Sequence, residues 1–72
     1  MMDMIRLTRQ QQKVAEMIWD GLNYDEIANI LGITNRTVVA HRENIMLKTG
    51  ETRTILAIRK LVESGAIVVT KE

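Results

Sequence analysis

Four glycines and no prolines punctuate this chain, and each glycine falls where a helical pattern of apolar residues stops. Glycine adopts the left-handed backbone that closes helices without a Cβ penalty. Gly21, Gly32, Gly50 and Gly65 therefore predict four helix ends within 72 residues. The segments between them open with cap chemistry. Thr8-Arg9-Gln10-Gln11 has the form of a capping box, in which the threonine hydroxyl and the glutamine amide satisfy exposed backbone N–H groups, and Asn23-Tyr24-Asp25-Glu26 repeats that form. Thr34 and Thr52 are the expected caps of the third and fourth segments. The predicted helices span residues 9–20, 24–31, 35–49 and 53–64.

Such a length supports one small domain with an economical core. There is no cysteine, so no disulfide or thiolate site helps the fold, and the lone His41 cannot hold a metal. We expect neither metal nor cofactor. A cysteine-free chain fits a reducing cytoplasm, and its apolar runs are far shorter than the roughly 18–20 residues that span a bilayer. The first residues, M-M-D-M-I-R, do not resemble a secretion signal, so no membrane association is expected. The net charge of +1 conceals an uneven distribution. Residues 1–32 carry three basic and five acidic side chains, residues 33–60 six and two, and residues 61–72 one and two. A basic central segment favours a polyanionic partner.

Apolar periodicity places the core. In the first helix Val14, Met17, Ile18 and Leu22 form one stripe, with Trp19 covering its edge. The second turns Ile27, Ala28 and Leu31 inward and Asp25 and Asn29 outward. The third is anchored by Val38 and Ile45, with Thr49, Arg42 and His41 within about 60° of the same direction. His41 reads as a packed, hydrogen-bonded side chain, and Arg42 must snorkel outward or meet a carboxylate. In the fourth, Ile55, Ile58 and Val62 form a stripe with Leu56 and Leu61 rotated from its centre. That is more apolar surface than so short a helix needs for one core. The excess either covers the first helix or forms a dimer seam through Leu56, Arg59, Lys60 and Glu63. Residues 66–70, A-I-V-V-T, read as an extended tail.

Only Gly32-Ile33-Thr34 separates the second and third helices, which is the spacing of a helix-turn-helix unit. The fold class is therefore all-α: a compact four-helix domain containing a helix-turn-helix, with a short extended C-terminal tail. Thr34, Asn35 and Thr37 occupy the N-terminal end of the third helix, where N–H groups, hydroxyls and the helix dipole suit phosphate oxygens. Arg36 and Lys48 add charge. Val39, Ala40 and Glu43, flanked by Asn44, are placed to meet base edges: an apolar side chain suits a thymine methyl and a carboxylate a cytosine amino group.

The ordered set Leu7-Thr8, Val14, Ile18, Gly21-Leu22, Glu26-Ile27-Ala28, Leu31-Gly32-Ile33-Thr34, Thr37-Val38, His41, Asn44-Ile45, Lys48 and Gly50 closely resembles the LuxR/FixJ/NarL-type helix-turn-helix domain. The match runs from about Leu7 to Val62, and the chain looks most like the stand-alone, GerE-like members. This resemblance implies a third helix that enters the major groove of double-stranded DNA and a fourth that commonly forms a homodimer. Three departures stand out. Gln10-Gln11 replace the usual Arg-Glu, Val39 replaces a usual lysine on the reading face, and Thr49-Gly50-Glu51 replace Leu-Gly-Val before a loop one residue short.

Three function classes follow. The leading expectation is a cytoplasmic, homodimeric, sequence-specific DNA-binding transcriptional regulator without a sensor domain. The alternative is a protein-binding antagonist that forms a heterodimer with a larger LuxR-type regulator through Leu56, Arg59, Lys60 and residues 66–70. An enzyme has least support, because His41 lacks a spaced nucleophile or carboxylate and no glycine-rich phosphate loop occurs.

Overall fold

The computed structural model describes residues 5–66. They form α1 (Arg9–Trp19), α2 (Tyr24–Leu31), α3 (Asn35–Thr49) and α4 (Thr54–Ser64). No strand occurs among the described residues, and no helix among them is long and apolar enough to cross a membrane. The expected order and type of elements hold, with two ends displaced by one residue. Asp20 is the C-cap of α1, and Arg53 precedes α4 instead of opening it. Of the tail expected at residues 66–70, all but Ala66 lies outside the described residues.

Three of the four helix starts use their expected caps. Thr8 and Gln11 exchange two bonds of 3.1 Å, and Asn23 and Glu26 exchange two of 2.8 Å. The Thr34 hydroxyl accepts from the Thr37 N–H at 3.1 Å. The fourth start differs: the N-cap is Arg53, not Thr52, and it makes no side-chain cap bond. Arg53 already has extended backbone, with φ −122°, so a short hydroxyl side chain there has the geometry to accept an N–H of the first turn. Arg53→Ser should stabilise the domain by about 1 kcal/mol, raising the melting midpoint by roughly 4–8 °C. Thermal unfolding followed by circular dichroism checks this, and an unchanged midpoint would show that the first turn of α4 gains nothing from a cap.

The turn between α2 and α3 needs its glycine. Gly32 has φ 69° and ψ 33°, and both its N–H and that of Ile33 point to the Ala28 carbonyl. A Cβ at Gly32 would meet nothing within 4 Å, so the requirement is the left-handed backbone and not the space. Ile33 is half-buried beneath the turn.

The core draws on every helix: Val14 and Ala15, Ile27 and Ala28, Val38 and Ile45, then Ala57, Ile58 and Leu61. α3 packs against α1, α2 and α4, and α1 also meets α4. Two predicted stripes are corrected. On α1 the buried positions are Gln11, Val14 and Ala15, while Met17, Ile18 and Leu22 pack against them partly buried. Small Ala15 lets another helix come close, and Gln11 is drawn inward because its amide has a partner there. Trp19 lies at the surface, 36% exposed. On α4 burial of Ala57, Ile58 and Leu61 sets the inward direction, and Ile55 then lies about 110° away. It is 66% exposed and belongs to no core stripe.

Candidate nucleic-acid interface

The core fixes α3 by one side only. Val38 and Ile45 are buried, and Thr49 joins them because its hydroxyl bonds back to the Ile45 and Met46 carbonyls at 3.0 and 3.1 Å. With this stripe held, helical periodicity turns residues 36, 40, 43 and 47 to the opposite side. Arg36, Ala40, Glu43 and Asn44 are exposed, Thr37 and Val39 half-buried, and Leu47 fully projecting at 79% exposure. One cation and one carboxylate on this face leave it nearly balanced in charge.

The N-terminal end of α3 is internally bonded. The Thr34 and Thr37 hydroxyls lie 2.9 Å apart, and the Asn35 amide Nδ2 donates to Asp25 Oδ1 at 2.7 Å. Asp25 comes from the first turn of α2 and was absent from the sequence-derived site; its helix position announced an acidic first turn, and only the packing of α2 against α3 brings it to Asn35.

Lys48 stands apart from the other expected contacts. Its ammonium donates to the Arg6 carbonyl at 2.8 Å and to Gln11 Oε1 at 2.7 Å, which fastens α3 to the chain entering α1. Its charge is directed into the scaffold and away from the face carrying Arg36, Ala40 and Glu43. Arg42 neither meets a carboxylate nor reaches solvent freely. Nη1 donates to the Thr54 hydroxyl at 3.0 Å, the guanidinium carbon sits 6.0 Å from the centre of the Tyr24 ring, and Nε is buried without a partner among the described residues. His41 also departs from expectation, since its buried Nδ1 has no hydrogen-bond partner among the described residues.

Three of the four residues expected in a seam on α4 share one face of the helix. Leu56, Arg59 and Glu63 share the outer face with Ile55; Leu56 is 37% exposed, and Arg59 and Glu63 form an exposed i,i+4 pair at 3.9 Å. Lys60 turns aside, because its ammonium donates to the Thr49 carbonyl at 2.7 Å and lies 3.8 Å from Glu51. A cation at the C-terminus of α3 satisfies a terminal carbonyl and opposes the helix dipole. Much of the apolar surplus expected on α4 is accounted for by Leu61, which is fully buried, while Ile55 and Leu56 remain outward.

Four helices around one core, with α2 and α3 joined by a three-residue turn and α3 left open on its far side, define a helix-turn-helix domain of the DNA-binding class. Residues 6–60 match the family of bacterial regulatory proteins called luxR, or GerE, and the chain belongs to it. It is 35% identical over 57 residues to the transcriptional regulatory protein UhpA of Escherichia coli, covering 79% of this chain and 29% of UhpA. Identity is 36% over 61 residues to the transcriptional regulatory protein MctR of Rhizobium johnstonii, covering 85% and 28%. To the uncharacterized response regulatory protein YgeK of Escherichia coli it is 33% over 64 residues, covering 89% and 44%. The chain thus spans less than half the length of these relatives.

Proposed function

We propose that this chain is a sequence-specific DNA-binding transcriptional regulator that acts as a homodimer in the cytoplasm, with α3 in the major groove. The observation that carries this reading is the division of α3 into a buried stripe of Val38, Ile45 and Thr49 and an exposed face of Arg36, Ala40, Glu43 and Asn44. A helix so held presents side chains to base edges without disturbing the core. Thr34 and Thr37 then lie nearest the phosphates flanking the groove, and Val39 and Ala40 offer apolar contact to a thymine methyl. The outer face of α4, with Ile55, Leu56, Arg59 and Glu63, is the proposed dimer surface.

Selecting duplexes from a random pool tests binding and half-site spacing together. On the selected duplex, Arg36→Ala should weaken binding about tenfold and reduce the salt slope by roughly 0.9, with helicity unchanged. Substituting Val39 or Glu43 should instead change the preferred bases. Unchanged duplex binding at low salt in all three variants would refute the proposed reading face.

A second reading has its own support. Val39 stands where the family usually has lysine, the Lys48 ammonium is engaged within the fold, and two aliphatic side chains remain exposed on α4. These features suit an antagonist that forms a heterodimer with a larger LuxR-type regulator. A tight complex with such a regulator, combined with no duplex affinity, would select this reading; a homodimer that shifts DNA would select the first.

A further inference from the structure

We propose that Asp25 is a positioning residue that sets the orientation of the Asn35 amide, and so directs α3 to prefer adenine at the base pair facing its N-terminus; this rests on the DNA-binding reading above. Asp25 Oδ1 accepts from Asn35 Nδ2 at 2.7 Å, across ten residues and between two helices. A carboxylate only accepts hydrogen bonds, so the amide must present its nitrogen to Asp25 and turn its oxygen away. The neighbouring hydroxyls are engaged elsewhere: Thr34 and Thr37 Oγ1 are bonded to each other, and the Thr34 hydroxyl also accepts from the Thr37 N–H. Asn35 is exposed and is the first residue of α3. With one Nδ2 proton committed, the second proton and Oδ1 remain as an adjacent donor and acceptor. That pair is complementary to N7 and N6 of adenine in the major groove. Residues at the N-terminal end of a recognition helix are those that reach base edges.

The same carboxylate brings a negative charge to the end of α3 that approaches phosphates. Its two effects are separable. Loss of charge affects every duplex alike, whereas release of the amide changes the preference among them. Asp25→Asn removes the charge and, because its own amide donates as well as accepts, no longer dictates the Asn35 orientation; Asp25→Ala removes the bond itself.

The experiment has two arms. In the free protein, the Asn35 side-chain amide is followed by NMR: its resonances should lose their position and slowed exchange in Asp25→Ala. In the DNA arm, binding is measured on the selected duplex and on versions altered at the adenine. Relief of the negative charge should tighten binding of both variants, relative to the wild type, to the duplexes altered at the adenine at low salt. Asp25→Asn, which no longer fixes the amide, should lose part of the adenine preference, and Asp25→Ala about fivefold or more of it. Asn35→Ala should lose as much, and the double variant no more, since one contact is removed either way. Unchanged base preference in Asp25→Ala would overturn the proposal, as would equal effects of both Asp25 variants with the Asn35 resonances unmoved. A wild-type protein with no duplex affinity would overturn the DNA-binding reading and the adenine assignment together, while the NMR arm would still report the Asp25–Asn35 bond.

Discussion

Lys48→Ala is expected to lower the melting midpoint of the free protein, and not merely its affinity for DNA. The ammonium bridges two oxygens that are 42 and 37 residues distant in sequence, the Arg6 carbonyl and the Gln11 side chain. Charge-assisted bonds are stronger than neutral ones, but Lys48 is exposed and water can replace part of what is lost. The loss should be about 1–2 kcal/mol, a sizeable share of the stability of so small a domain. Gln11→Glu supplies the complementary measurement. A carboxylate there would accept from the Thr8 N–H, lie in the first turn of α1, and pair with Lys48. It should stabilise the native background by about 1 kcal/mol and destabilise the Lys48→Ala background, where a buried carboxylate would lack its cation. The two changes therefore form a double-mutant cycle with a large coupling term. A Lys48→Ala protein that melts like the wild type but binds DNA weakly would show the ammonium to be a phosphate ligand after all.

The Lys48 bond shows where sequence reading reaches its limit. Caps and glycine stops depend on neighbours within three or four residues, so the helix boundaries were legible to within one residue at most ends. The anchors Val38 and Ile45 followed from the 3.6-residue period alone. What a side chain meets on another helix leaves no local trace. Lys48 looked like one more cation on a basic helix, yet its position is a quarter turn from the outward face, against the start of α1. Arg42 likewise found a threonine hydroxyl and an aromatic ring in place of the expected solvent or carboxylate. Asp25 announced only its own helix start, and the packing of α2 on α3 gave it Asn35 as a partner. On α4, β-branched and aliphatic residues occupy so many positions that periodicity alone could not choose between Ile55 and Leu61. The small Ala57 marks the true inward side by allowing close approach.

Ile45→Ala is expected to have the largest effect of any single change on α3. Ile45 is 1% exposed and lies in the core shared by all four helices. Truncation of such a residue costs about 2–5 kcal/mol from lost transfer energy and the cavity left behind. A domain of this size has a total stability on the order of 5 kcal/mol, so the variant should be largely unfolded in a modest concentration of urea that leaves the wild type intact. If α3 reads DNA as proposed, the selected duplex binds only the folded form. Duplex at about 100 times its dissociation constant adds roughly 2.7 kcal/mol and should restore much of the lost helicity. Arg36→Ala should show the reverse pattern, with full helicity and weak binding, because its side chain touches the proposed ligand and not the core. Ile30→Ala on α2 supplies the control for apolar content: at 60% exposure it should change stability by no more than about 0.5 kcal/mol. Failure of duplex to restore Ile45→Ala, with wild-type binding intact, would mean that the cavity alters the bound surface as well as the fold. That result would place Ile45 in the recognition geometry itself, since the stripe it anchors is what holds the outer face of α3 toward the groove.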